Sequence, residues 1–330
     1  MRVAILGAGA TGGCLAISLA EAGCDVTLLA RGAHFDAIRQ SGLRLIDAEG
    51  GEITRQMKAV DDPADLGPQD LLISTLKAPA LPLVLGKVPE TLRRNVPLLT
   101  AMNGVFWWYG HGFQPQSRAL DTSRLDPAGQ MSLLTDPGAA MGAVIYSTNE
   151  VVAAGVVRNR SKTNRLVIGS SQPDRTDHVA ALFQRLSSPR FEFEVVADIR
   201  RRMWHKLLRN LSSAPISVLT AARVREINDD PQVLGLARAL FLEGAQVAAA
   251  HGFSGLSADV EDVVSPGVGA LQRPSMRQDL DLRRPMEIDS ILRIVQDFGR
   301  QSDVYVPVLD MIVPLVILRA RTAGCYPPAV

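Results

Sequence analysis

A chain of 330 residues exceeds one ordinary hydrophobic core and suits two domains. Apolar residues make up 47% and charged residues 21%, which excludes a largely disordered chain. With 35 basic against 34 acidic residues the formal charge is +1, so composition offers no polyanion-binding surface and argues against nucleic acid as a partner.

The chain opens on alternating strand-like and helix-like stretches. Arg2–Leu6 is a short apolar run ending at glycine, and Thr11–Ala22 has helical spacing of small and apolar residues. Asp25–Ala30 is a second, β-branched strand, and 33–41 is helical again. Strand, helix and strand within about 30 residues is the signature of a parallel sheet. Leu71–Thr75 and Pro97–Met102 read as further buried strands. Residues 107–138, rich in Gly, Pro and polar side chains, read as an extended loop. Val156–Val157 and Leu166–Ile168 read as antiparallel additions to the sheet.

After Phe191–Val196 the character changes. Ile199–Leu211, Pro231–His251 and Glu287–Gly299 read as helices with little strand signal between them. The expected architecture is a doubly wound, Rossmann-type α/β domain over residues 1–197, followed by an all-α domain over 198–330. Two apolar stretches mimic targeting or membrane segments. The N-terminal one carries Gly7, Gly9, Gly12 and Gly13, and the one at 304–318 is broken by Pro307, Asp310 and Pro314; both read as core. Three cysteines (Cys14, Cys24, Cys325) without a CxxC, and five scattered histidines, point to a reducing cytoplasm and to no metal.

The sharpest local signal is Gly7-Ala8-Gly9-Ala10-Thr11-Gly12, a GxGxxG lying between the first strand and the first helix. Its first glycine allows the tight turn, its second lets the backbone approach a pyrophosphate, and its third lets helix and strand pack closely. Free N–H groups at the helix start then hold phosphate charge. A structural turn rich in glycine is the competing reading, and the βαβ context favours dinucleotide binding. At the end of the second strand stand Leu29, Ala30 and Arg31, with no acid for a ribose 2′-hydroxyl; a guanidinium there suits a 2′-phosphate, and so NADPH, with a solvated surface arginine as the competing reading.

Lysine is scarce: Lys58, Lys77, Lys87, Lys162 and Lys206 are the only five among 35 basic residues. Lysine, unlike arginine, can release its proton when buried. Lys206 and Asn210 lie four apart on one predicted helix face and can donate jointly to a carbonyl or carboxylate, although a surface lysine is the plainer reading. Asn103-Gly104 and Lys77 each follow an apolar strand, where doubly wound folds bind ligands, although Asn103-Gly104 reads equally as a simple turn. Glu287 and Asp289 open a helix, which by itself requires only a favourable meeting with its dipole.

Taken together, GAGATG (Gly7–Gly12), LLAR ending at Arg31, STLK ending at Lys77, MNG with Asn103, WHKLLRN with Lys206 and Asn210, PISVLT from Pro215, SMRQDL from Ser275 and PMEID with Glu287 resemble the ketopantoate reductase family over nearly the whole chain. The resemblance implies an active site in the cleft between the domains and NADPH-dependent reduction of a 2-oxo acid, 2-dehydropantoate foremost, to its 2-hydroxy acid. It also implies roles. Lys206 would protonate the carbonyl oxygen as hydride reaches C2; Asn103 would lie between nicotinamide and substrate; Asn210 and Ser275 would hold substrate; Glu287 would contact the cofactor and order the site; Lys77 would lie beside the cofactor. Three features depart from the family. Ala214 stands where a second helical asparagine is often found, Ser290–Arg293 lacks the usual Asn-Gly or small residues, and the stretch with Trp107, Trp108 and Tyr109 is long enough to reshape the site. Another branched 2-oxo or 2-hydroxy acid, or an NADPH-binding sensor without catalysis, are the alternatives. A small-molecule substrate, no membrane and a possible homodimer complete the expectation.

Overall fold

The computed structural model describes residues 1–115, 119–186, 188, 190–269, 271 and 273–328. They form two compact units. The first comprises residues 1–102, 106–112 and 126–199; the second comprises 103–105, 113–125 and 200–330.

The first unit is built on twelve strands: β1 (Arg2–Leu6), β2 (Asp25–Leu29), β3 (Leu43–Ile46), β4 (Glu52–Arg55), β5 (Lys58–Val60), β6 (Leu71–Ser74), β7 (Leu98–Ala101), β8 (Met141–Tyr146), β9 (Asn149–Ala153), β10 (Val156–Asn159), β11 (Arg165–Ser170) and β12 (Glu192–Val195). Eight of them form a sheet in the order β12-β11-β8-β7-β6-β1-β2-β5. Every neighbouring pair in it is parallel except β8–β11. β1 is central, and its Val3, Ala4, Ile5 and Leu6 are fully buried, as a strand covered on both faces requires. From β1 the chain runs outward to β2 and β5, then returns to the other side of β1 with β6. The reversal places a topological switch point at the carboxyl ends of β1 and β6, where such sheets bind ligands.

The remaining four strands form a second sheet, β4-β3-β10-β9. Val156–Val157 therefore departs from the sequence reading. It belongs to this second sheet, pairing antiparallel with β9 and parallel with β3. The sheet packs on the Ala10–Glu21 helix, and Gly13 makes the approach possible: a Cβ there would stand 2.8 Å from Val157 Cγ1. Leu166–Ile168 does run antiparallel, to β8.

Residues 107–138 also depart from the extended loop read in the sequence. They contain 3₁₀ turns at Pro127–Gly129 and Pro137–Ala139 and a short helix, Gln130–Leu134; Gln116–Arg118 lie outside the described residues. Trp107, Trp108 and Tyr109 are buried core residues of the first unit. Phe106 and Trp108 stack at 4.8 Å, and both lie over Gly142 of β8, where a Cβ would meet either ring within 2.8 Å. A glycine in a strand here makes room for aromatic rings.

Among its described residues the second unit holds no strand, and its regular elements are all helices. A 22-residue helix, Ile199–Thr220, continues past the predicted end and contains Pro215. Leu234–Ala250 and Pro307–Thr322 follow, the latter also holding an internal proline, Pro314. Between them, residues 289–301 begin as a π-helical turn (Asp289–Arg293) and continue as an α-helix to Gln301. The apolar stretch at 304–318 is core on one face only: Leu309, Ile312, Val313 and Val316 are buried, whereas Met311, Leu315 and Leu318 are exposed. No helix among the described residues is long and apolar enough to cross a membrane.

Candidate active site

The glycine turn of the first unit is shaped by backbone proximity. Gly7 has φ +105°, and a Cβ at Gly12 would lie 2.0 Å from Gly7 O and 2.6 Å from Thr75 Oγ1. Gly7 thus makes the turn, and Gly12 allows helix and strand to meet. At Gly9, by contrast, nothing lies within 4 Å of the Cβ position. The turn is tight beneath and open above, as a cradle for a pyrophosphate must be, with the N-terminus of the Ala10–Glu21 helix behind it. Ala8, Ala10 and Thr11 complete it.

Two residues that sequence reasoning passed over hold this turn. Thr75 Oγ1 donates to Gly7 O at 2.7 Å. His34 Nδ1 accepts from Gly155 N at 2.9 Å, which leaves its Nε2–H to donate to Ala8 O at 2.7 Å. His34 therefore joins the glycine turn to the β9–β10 connection. Thr75 lay inside the quoted STLK and carried a signal; His34 carried none, because its partners are backbone atoms far away in sequence.

Arg31 lies two residues after the end of β2, exposed, in extended conformation at the start of the Gly32–Ser41 helix. Lys77 follows β6 and precedes a 3₁₀ turn, half-buried. Both belong to the first unit, as does the glycine turn.

The second unit gathers a separate group. Lys206 lies in the Ile199–Thr220 helix, and its Nζ donates to Asn103 Oδ1 at 2.8 Å. Burial pushes the Lys206 pKa down to about 8, with the Glu287 carboxylate pulling it back up. Glu287 is itself buried, two residues before the π-helical turn Asp289–Arg293, with Ile288 between them. Asn103 is fixed from the same direction. Gly104, at φ +82°, would place a Cβ 2.4 Å from Ser290 O, and Val105 N donates to that carbonyl at 2.8 Å. The turn carrying Asn103 thus rests on the π turn after Glu287, a kind of irregularity frequent at functional sites. Ser290, buried and in this contact, went unnoticed as a positioning residue because a π turn has no sequence signal of its own.

Asn210 is one helical turn beyond Lys206 and half-buried; Ala214, a further turn on, is buried. Ser275 begins the Ser275–Asp281 helix, exposed, and no hydrogen bond joins it to the cluster among the described residues. Asp289 accepts from Tyr326 at 2.8 Å and from Arg293 at 3.2 Å, a structural network beside the site.

A lysine able to shed its proton near neutrality, held by an amide and balanced by a carboxylate, is equipped for proton transfer rather than for fixed charge. With a GxGxxG cradle at a sheet's switch point, fold and site define a dinucleotide-dependent oxidoreductase. The chain belongs to the ketopantoate reductase family, oxidoreductases acting on a CH–OH group. Residues 3–111 match the family model "Ketopantoate reductase PanE/ApbA" and 198–320 its C-terminal model. A 2-dehydropantoate 2-reductase of Mesorhizobium japonicum is 35% identical over 99% of this chain and 100% of that one. A candidate ketopantoate reductase of Ralstonia solanacearum, solved by crystallography, superposes with a TM-score of 0.83 at 33% identity, covering 98% and 99% of the two chains. A D-mandelate dehydrogenase solved with NADH and anilino(oxo)acetate shares the fold, with a TM-score of 0.82 at 20% identity, over 98% and 99%.

Proposed function

We propose that the chain reduces 2-dehydropantoate to pantoate with NADPH, Lys206 supplying the proton. The observation that carries this reading is the Lys206–Asn103 contact, on a lysine whose pKa lies near 8 and whose neighbour is the buried Glu287. NADPH, when bound, supplies the hydride. The Gly7–Gly12 turn would hold its pyrophosphate, Arg31 its 2′-phosphate, and Lys77 would lie alongside. Asn103, its oxygen engaged by Lys206, keeps its amide N–H groups for substrate or nicotinamide. Asn210 and Ser275 would hold the substrate, and Glu287 would contact the cofactor and preserve the charge balance around Lys206.

The proton leaves Lys206 Nζ for the carbonyl oxygen as negative charge develops there. Asn103 aims the ammonium, so that donor direction is set before substrate arrives. Reduction therefore requires the protonated lysine. kcat/KM for reduction falls tenfold per pH unit above about 8, whereas oxidation of the hydroxy acid gains over the same range. Stability runs the other way. The folded protein releases this proton before the unfolded chain does, so stability increases between pH 8 and the ordinary lysine value of 10.5. A pH–rate profile in both directions checks the first statement and a pH series of melting curves the second.

Cofactor choice is tested at Arg31. Losing a charge-assisted contact of about 1.5–3 kcal/mol lowers the NADPH-over-NADH preference of Arg31→Ala roughly 10- to 150-fold, without change in NADH kinetics. Equal losses with both cofactors would remove Arg31 from 2′-phosphate recognition.

A second reading keeps the chemistry and changes the acid. Ala214 offers no hydrogen bond where the family often has asparagine, and leaving a substrate hydroxyl unpaired costs about 1–3 kcal/mol. NADPH oxidation measured against a panel of branched and aromatic 2-oxo acids separates the two. The first reading requires 2-dehydropantoate to have the highest kcat/KM.

A further inference from the structure

The first unit holds a cavity of about 200 Å³ at the end of its large sheet opposite the glycine turn. β7 and β8 begin beside it, at Leu98 and Met141, and antiparallel β11 ends there at Ser170. The glycine turn follows the carboxyl end of β1, which runs parallel to β6 and β7. The cavity is therefore separate from that turn and from the ligand-binding end of the sheet.

Its lining is cationic. Arg93 and Arg94 come from the Glu90–Asn95 helix, and Arg175 ends the 3₁₀ turn Pro173–Arg175. Three guanidinium groups stand against two carboxylates. Glu90 accepts from Arg94 Nε at 2.6 Å, and Asp136 in the lining accepts from Gly138 N at 2.8 Å. His178, exposed, lies one turn beyond Arg175.

Two donors of this lining have no partner among the described residues. Arg93 donates through Nη1 to Leu134 O at 3.1 Å, yet its Nε is buried without an acceptor. Thr135 is only 7% exposed, and its hydroxyl makes no hydrogen bond. A buried donor left unpaired, above all on a charged group, is costly, and an acceptor in the cavity relieves it. Arg175 Nη1 donates to Gly138 O at 3.1 Å, which fixes that guanidinium and leaves its other N–H groups to donate.

The donors reach the cavity from three separate elements, not in one plane. A carboxylate offers two coplanar oxygens, whereas a phosphate group offers oxygens in a tetrahedron, and guanidinium forks pair with it bidentately. We propose that this cavity binds a phosphate group, free or as a monoester, with Arg93, Arg175 and Thr135 donating to its oxygens and Arg94 adding charge beside them.

The full chain is titrated by calorimetry with inorganic phosphate and, separately, with glycerol 3-phosphate, chloride holding the ionic strength constant. Melting temperature over the same series is the second reading, because a ligand of the folded state raises it. Arg175→Gln and Thr135→Val each lower phosphate affinity roughly tenfold or more and abolish the rise in melting temperature. Gly9→Ala leaves both unchanged, which separates this site from the glycine turn. Thr135→Val keeps the test decisive if Arg175→Gln fails to fold, since a methyl replaces an unpartnered hydroxyl of the same shape. Tighter binding of glycerol 3-phosphate identifies a monoester as the source of the group, and tighter binding of inorganic phosphate the free ion. No saturable binding, binding that survives both Arg175→Gln and Thr135→Val, or acetate bound as tightly as phosphate overturns the proposal.

Discussion

Lys206→Ala lowers the rate of 2-oxo acid reduction by about 10²–10⁴-fold while leaving NADPH affinity unchanged, because the proposed mechanism makes Lys206 the proton donor and leaves the glycine turn untouched. Lys206→Arg does not restore the rate: guanidinium holds its proton too tightly and its planar fork does not match a point donor. Lys206→Ala also removes the positive charge that interacts with buried Glu287, and removing one partner of a buried charge pair is costly. Lys206→Ala/Glu287→Gln removes both charges, so its melting temperature separates lost chemistry from lost stability. Single-turnover oxidation of bound NADPH is the readout. A Lys206→Ala protein within a few-fold of wild type would remove Lys206 from the chemistry.

Gly9→Ala and Gly12→Ala part company, although both change the same motif by one methyl. At Gly12 the new Cβ falls 2.0 Å from Gly7 O, which is backbone and cannot swing aside. Strain of that kind costs about 1–3 kcal/mol or more, so Gly12→Ala melts several degrees lower and binds cofactor poorly for that reason. At Gly9 the methyl meets nothing in the protein, and the melting temperature is preserved. On the proposed function it enters instead the space a pyrophosphate would approach, and NADPH affinity falls by roughly tenfold or more, a cost of at least about 1.4 kcal/mol. Thermal melting and fluorescence titration with NADPH, run on both variants, check the pair. Unchanged NADPH affinity in Gly9→Ala would mean that the turn is not a phosphate cradle.

What the sequence made legible follows from locality. β1, the glycine turn and β2 lie within thirty residues, and each piece constrains the next, so the parallel sheet and its tight glycine turn could be read directly. The helix carrying Lys206 and Asn210 was equally plain, as was their common face. The second sheet was not, because β10 finds its partners in β3 and β9, one of them more than a hundred residues away. Trp107, Trp108 and Tyr109 looked like loop because glycine and proline surround them, and the distant glycine of β8, Gly142, on which Trp108 and Phe106 pack, lies more than thirty residues on. Asn103 and Lys206 are likewise 103 residues apart, and motif alone could nominate them but not join them. The support beneath Asn103, a π turn whose Ser290 carbonyl leaves no room for a Cβ at Gly104, depends on backbone geometry that no side-chain pattern announces.

The central claim meets its most direct test in the NADPH oxidation that accompanies 2-dehydropantoate, with the product identified by mass spectrometry. The account predicts stoichiometric pantoate and NADP, at a rate that falls above pH 8 with the deprotonation of Lys206. A folded protein that binds NADPH tightly and yields no pantoate would contradict it.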